Sequence, residues 1–244
     1  EVVASPAVED GRVVVLTTSG RLVALDTDEG KLQWTLSEEQ PPLTLRSAGA
    51  PIITNGAVIY GRADGKVGIA LLSNGQPVRQ SKVADPRGAT ELDRMVDVDA
   101  SPLIAGDELY AIAYNGQLMA RKLMSGDEVW KRKYSGYRDM AVTGNAIVLT
   151  DSRSHLFAVD RRNGLELWSN TQLENRTVTA PVILGDYVVV GDVEGYLYWL
   201  DRTDGTIKAM QQLDSSGLYA APLVEGDTLY VQSRDGKLYA LKRP

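Results

Sequence analysis

The stretch Pro181-Val-Ile-Leu-Gly-Asp-Tyr-Val-Val-Val-Gly-Asp-Val-Glu-Gly-Tyr-Leu-Tyr-Trp-Leu-Asp-Arg-Thr-Asp-Gly-Thr-Ile-Lys-Ala209 decides the fold of this chain. Its turn glycines, Gly185, Gly195 and Gly205, stand ten residues apart. Between them lie short runs rich in β-branched and aromatic residues, such as Tyr187-Val-Val-Val190 and Tyr196-Leu-Tyr-Trp199. Runs of that kind, bounded by Gly beside Asp, Asn or Ser, read as strands joined by tight hairpins, because those residues supply positive φ at low cost. Three such hairpins join four strands. No stretch of the chain sustains a 3.6-residue apolar period with caps, so almost no helix is expected.

The same unit recurs along the chain. A Pro preceded by Ser or Ala stands at Pro6, Pro51, Pro102, Pro181 and Pro222, with Met140 in the equivalent place. The first turn follows at Gly11, Gly56, Gly106, Gly144, Gly185 and Gly226. A second turn comes about ten residues later, with Ser154 once replacing glycine, and then a third at Gly30, Gly75, Gly126, Gly164 and Gly205. A four-stranded meander with a period of roughly 40–45 residues is the blade of a β-propeller. A sandwich is the competing all-β answer, but it does not need identical turn spacing in each unit. The expectation is therefore an all-β, single-domain β-propeller of four-stranded antiparallel blades. Its repeats run over about 5–50, 51–101, 102–139, 140–180, 181–221 and 222–244.

A tryptophan marks the same place in three repeats. Trp34, Trp130 and Trp168 each lie four residues after a turn glycine, and Arg79 and Ala209 hold the equivalent positions elsewhere. A large aromatic at a fixed place in each blade is expected to pack between neighbouring blades.

Composition narrows the chemistry. The 244 residues carry a formal net charge of −6, against a nucleic-acid surface, which needs clustered Lys and Arg. There is no cysteine, so disulfides, thiolate metal sites and cysteine nucleophiles are excluded. The single histidine, His155, rules out His-rich metal sites; it stands in the place of a turn residue and is expected on a surface turn rather than as a catalytic base. No run approaches the roughly 20 apolar residues of a membrane-spanning helix.

Function is sought where the repeat is broken. From the tryptophan position to the next repeat's Pro position, the connections run 17, 23, 10, 13 and 13 residues, so the first two are enlarged. Equivalent connections of adjacent blades emerge on one face, and these two should form a composite raised surface. The first, Ser37-Glu-Glu-Gln-Pro-Pro-Leu-Thr-Leu-Arg46, is stiffened by two prolines. Leu43 and Leu45 either tuck under the loop or form a small apolar anchor beside Arg46, which is hot-spot chemistry for a protein partner. The second runs from Ala84 to Asp99. It is either a solvated, self-capping loop or an acidic rim in which Asp97 and Asp99 face alike if the backbone is extended.

Two patterns carry a resemblance. Ala24-Leu25-Asp26, three residues, Gly30, three residues, Trp34 resembles the tryptophan-docking repeat of the pyrroloquinoline-quinone dehydrogenases. The non-repeating segments Leu43-Thr-Leu-Arg46, Thr90-Glu-Leu-Asp-Arg-Met-Val-Asp-Val-Asp99, Ala113-Tyr-Asn-Gly116 and Val190-Gly-Asp-Val-Glu-Gly-Tyr-Leu-Tyr198 resemble the BamB family, β-propeller lipoproteins of the outer-membrane β-barrel assembly machinery. The resemblance runs from about Ser5 to Arg243. It implies a non-catalytic scaffold, without cofactor or metal, at the periplasmic face of the outer membrane. It also implies that Leu43, Leu45, Arg46, Asp97 and Asp99 contribute to binding BamA through its periplasmic POTRA domains, with nascent outer-membrane proteins as a further partner.

The competing readings are a quinoprotein dehydrogenase and a generic propeller binding module. Against the dehydrogenase, the vicinal disulfide common in those enzymes is impossible here and their long active-site insertions are absent. Two carboxylates in one loop are a poor calcium site, since calcium takes six or more oxygens.

BamB-like proteins have eight blades. The resemblance therefore implies about two further repeats and a lipid-anchored cysteine before Glu1, and an incomplete or open ring for this N-terminally truncated piece.

Overall fold

A computed structural model describes residues 1–45 and 49–244, and its elements are all β-strands among those residues. They form two compact units, Glu1–Tyr137 and Arg138–Pro244.

The first unit holds three four-stranded antiparallel sheets. Sheet one contains β1 (Ala7–Glu9), β2 (Arg12–Leu16), β3 (Arg21–Asp26) and β4 (Leu32–Ser37). Sheet two contains β5 (Ile52–Thr54), β6 (Ala57–Gly61), β7 (Lys66–Leu71) and β8 (Pro77–Lys82). Sheet three contains β9 (Leu103–Ala105), β10 (Glu108–Ile112), β11 (Leu118–Lys122) and β12 (Glu128–Arg132). The second unit continues with β13 (Ala141–Thr143), β14 (Ala146–Thr150), β15 (Leu156–Asp160) and β16 (Glu166–Asn170). Its next sheet is β17 (Val182–Leu184), β18 (Tyr187–Gly191), β19 (Tyr196–Asp201) and β20 (Ile207–Gln212). A three-stranded sheet of β21 (Leu223–Glu225), β22 (Thr228–Gln232) and β23 (Leu238–Leu241) follows. In every sheet the strands lie in chain order, the meander of a β-propeller blade.

The turn chemistry explains the registers. Glu9 pairs with Arg12 across Asp10–Gly11, where both central residues have positive φ (48° and 71°), a type I′ turn. Asn55–Gly56 repeats it. The first hairpins of the other four sheets reverse the order, with Gly106, Gly144, Gly185 or Gly226 leading, as a type II′ turn requires. Each four-stranded sheet also carries a bulge between its third and fourth strands, as at Ala24/Leu25 and Trp199/Leu200.

Burial follows position in the blade. In β6 and β18, each flanked by sheets of its own unit, the second strand is buried on both faces, at Val58–Gly61 and Val188–Gly191, whereas β2 and β22 are only partly covered. The fourth strands alternate, and in β4 only Trp34 is buried.

The tryptophans join neighbouring blades as expected. Trp34 Nε1 donates to Leu72 O (2.9 Å) and Trp168 Nε1 to Arg202 O (2.9 Å), each on the next sheet. The rings lie flat on the glycines of the next third turn. A Cβ at Gly75 would sit 2.5 Å from Trp34 Cε3, and one at Gly205 would sit 2.4 Å from Trp168 Cε3.

The residue opposite each marker compensates for its size. Trp34, Trp130 and Trp168 face Ala24, Ala120 and Ala158 across the ladder. In the fifth sheet the pair is inverted, Ala209 facing Trp199. In the second it becomes Arg79 facing Ile69.

Candidate partner-binding site

The two enlarged connections meet in the first unit. Both line one cleft, with Glu38, Gln40 and Thr44 from the first loop and Asp97, Val98 and Asp99 from the second. Its free volume of about 20 Å³ has room for a single water and none for a ligand. The walls are therefore a packed junction between loops, and what they offer a partner is the surface above.

Three contacts make the junction. The Leu45 N–H donates to Asp97 Oδ1 (3.3 Å), and the Ala50 N–H donates to Ser101 Oγ (2.9 Å). At Gly49 the backbones approach so closely that a Cβ would lie 2.6 Å from the Ala100 carbonyl carbon.

The leucines separate in exposure. Leu43 is 41% exposed, whereas Leu45 is half-buried. Of the two, Leu43 is the one open to a partner, and Leu45 lies partly under cover beside the Asp97 contact; in the second loop Leu92 is exposed as well. Arg46, expected beside them, lies outside the described residues.

The reading of the second loop as an acidic rim is corrected. Asp97 is 1% exposed and Asp99 7%. The cause is the pattern of the segment: Val96 and Val98 enter the core formed by Val83, Ala84, Ala113 and Met119. Alternation along an extended backbone then turns the two aspartates the other way, into the cleft. The segment is strapped on both sides. Val98 N–H donates to Arg62 O (3.0 Å) and Tyr114 N–H to Asp97 O (2.9 Å). The earlier part of the loop does close on itself: Thr90 Oγ1 donates to Asp93 Oδ2 (2.8 Å), and the Asp93 N–H donates to Thr90 Oγ1 (3.1 Å).

Burial sets the electrostatics. Asp99 is pushed up to about 7, first by loss of water and then by the charge of Asp97. Asp97 is also raised by desolvation, partly offset by the Leu45 N–H. Among the described residues, Asp97 Oδ2 and Asp99 Oδ2 have no hydrogen-bond partner. Nor do any three His, Asp or Glu among those residues converge as metal ligands, so the aspartates stand as a pair.

The wall of the cleft contains an ion-pair lock that the sequence does not announce. Tyr60 OH donates to Glu38 Oε1 (2.6 Å), and Arg62 Nη1 pairs with Glu38 Oε2 at 2.6 Å. Arg62 also donates from Nε and Nη2 to Asp64, which Lys66 meets from the other side. Burial and the bond to Glu38 push the Tyr60 hydroxyl above the usual phenol range. The lock fixes the base of the first loop to the second blade. Its signal was available, because Thr17, Asp151 and Asp192 at the equivalent turn position accept backbone N–H groups, and an arginine cannot.

His155 is also corrected. The left-handed turn residue is Ser154 (φ 73°), and His155 points inward at 6% exposure. Its Nδ1 lies 3.1 Å from Asp151 Oδ2 and its Nε2 3.5 Å from Glu174 Oε1.

Comparison with known proteins places this architecture. A family model described as "Outer membrane protein assembly factor BamB" matches residues 1–170 and 166–243. A protein of that name from Shewanella oneidensis is 46% identical over 183 residues, 75% of this chain and 46% of its own length. Its counterpart in Vibrio cholerae is 46% identical over 184 residues, 75% of this chain and 48% of its own length. The crystal structure of BamB from Moraxella catarrhalis superposes with a TM-score of 0.92 at 27% identity, covering 98% of this chain and 71% of that one. The chain thus spans about half the length of the curated relatives it matches.

Proposed function

Because the chain belongs to the BamB family of outer membrane protein assembly factors, we propose that it serves as a non-catalytic scaffold subunit of that assembly machinery, docking on the periplasmic POTRA domains of BamA. Its relatives are named assembly factors, not enzymes. The observation that carries the docking surface is the junction of the two enlarged loops, where a buried carboxylate, Asp97, holds the backbone of the segment presenting Leu43.

Each residue has a part in this reading. Leu43 is the exposed apolar anchor, and Leu45 and Arg46 complete the contact. Asp97 and Asp99 are too buried to meet a partner directly, so they act by positioning the first loop. A preorganised loop loses little conformational freedom on binding, which favours affinity. The working location is the periplasmic face of the outer membrane, with a lipid anchor on the full-length protein. Nascent outer-membrane proteins are the cargo of the assembled machine. Capture of BamA's periplasmic region by the purified chain, with and without the Leu43 side chain, tests the proposal.

A further inference from the structure

At the other end of β6 from the cleft, the second blade departs from its neighbours. Where Trp34 and Trp168 fill the crevice to the next blade, the second blade has Arg79. Arg79 reaches the same third turn, but one carbonyl further along than the tryptophans do. Its Nη1 donates to Met124 O (3.1 Å), and a Cβ at Gly126 would lie 2.4 Å from that nitrogen. A guanidinium on a thin aliphatic stem is much smaller than an indole, and the space it leaves is a cavity of about 170 Å³. Ile59, Ile69, Val78, Leu123 and Met124 line it with Arg79. It shares walls with the tryptophan slot of the other blades, while the Arg79 guanidinium itself covers Gly126. Ile69 faces Arg79 as Ala24 faces Trp34, and Leu123 stands three residues before Gly126 as Leu72 stands before Gly75.

The geometry points to this slot as a binding site for an aromatic side chain of a partner polypeptide, taking the place that the protein's own tryptophans take in other blades. Three features select that occupant. The slot's mostly apolar wall, with Thr54 and Asn55 at one side, encloses about 170 Å³, room for a six-membered aromatic ring, which needs roughly 150 Å³. The slot opens to solvent past Val78 and Met124, 58% and 77% exposed. Arg79, which makes no ion pair among the described residues, offers a guanidinium face on which an aromatic ring stacks and an aliphatic one gains less. The site lies away from the loop junction, so occupation does not compete with the proposed BamA contact.

The test is a titration of the methyl-labelled chain, followed by NMR, with end-blocked Gly-Gly-Trp-Gly-Gly and Gly-Gly-Leu-Gly-Gly. The tryptophan peptide should move the Ile69, Leu123 and Met124 methyl signals upfield and saturate in roughly the millimolar range. The leucine peptide should bind at least threefold more weakly. Ile69→Ala with Arg79→Trp rebuilds the Ala/Trp pair of the other blades and should abolish the shifts. Arg79→Met keeps the stem without the charge and should weaken the tryptophan peptide at least threefold. Equal binding of the two peptides, unchanged affinity in Arg79→Met, or shifts that persist in a folded double variant would overturn the assignment.

Discussion

The backbone N–H of Leu45 donates to the buried carboxylate of Asp97 across 3.3 Å, joining loops 52 residues apart in the chain. This contact makes the two enlarged connections one structural object. It also separates the five candidate residues into those that present and those that position.

Asp97 is where positioning can be measured. Asp97→Asn keeps an oxygen for the Leu45 N–H, whereas Asp97→Ala leaves that donor without its acceptor. Asp97→Ala should cost about 1–3 kcal/mol in denaturant unfolding and weaken BamA capture, with Asp97→Asn retaining most of both. In a double-mutant cycle with Leu43→Ala, the binding losses should be less than additive, because one residue acts through the placement of the other. Strictly additive losses would place Asp97 outside this interface.

The aspartate pair predicts a pH dependence of stability. The Asp99 carboxyl titrates near 7 in the folded chain and near its ordinary 3.8 unfolded. The folded state therefore binds more protons between those values, and stability falls as pH rises from about 4 through about 7. The full effect is on the order of 4 kcal/mol at most. Asp99→Asn should remove most of this slope, leaving the smaller part that the raised Asp97 contributes, with the variant more stable than the parent at pH 8 and little changed at pH 4. Urea unfolding at the two pH values decides it; a parent whose stability rises with pH would contradict the burial argument.

Blade docking should show in the tryptophans. Trp34→Ala and Trp168→Ala each remove a buried ring between sheets and should cost about 3–5 kcal/mol. Trp34→Phe keeps much of the packing and loses the bond to Leu72 O, about 1 kcal/mol. Gly75→Ala should be strongly destabilising too, since its φ of 73° and the Trp34 ring both exclude a Cβ. Tryptophan variants with parent-like unfolding midpoints would refute the docking role.

The lock under the first loop is a separate lever. Glu38→Gln removes one of the two carboxylates that hold the buried Arg62 and leaves Asp64 as the other. A loss of about 1–2 kcal/mol is expected, with a further weakening of BamA capture because the loop base is loosened. Arg62→Met, which removes the other charge as well when combined with Glu38→Gln, should recover part of the stability. Absence of any recovery would show that the two side chains are not coupled.

The blades were legible in the sequence because turn residues and strand residues repeat with a fixed period. The hairpins at Asp10–Gly11 and Asn55–Gly56, the bulged third turns and the seats of Trp34 and Trp168 all follow from local chemistry. The junction of the loops was legible only in outline. Connection lengths put the two loops on neighbouring blades, but exposure depends on which face of an extended segment meets the core. Val96 and Val98 decided that, and their alternation with Asp97 and Asp99 was readable as burial of the carboxylates had the valines been weighed first. His155 misled because it follows the turn residue Ser154 rather than occupying the turn itself. The Glu38–Arg62 lock spans two blades and leaves only one trace in the sequence, an arginine where Thr17, Asp151 and Asp192 supply an acceptor in three other blades.

The central claim is that the exposed edge of the loop junction binds BamA, and Leu43 tests it most directly. Its side chain is the exposed member of the set, so Leu43→Ala should leave unfolding within about 0.5 kcal/mol of the parent. The measurement is the affinity of the purified chain for BamA's periplasmic POTRA region, compared among the parent, Leu43→Ala and the Leu43→Ala/Leu45→Ala pair. Saturable binding by the parent is expected, and a loss of tenfold or more in the pair with the fold intact. Parent-like affinity in both folded variants, or no binding by the parent chain, would contradict it.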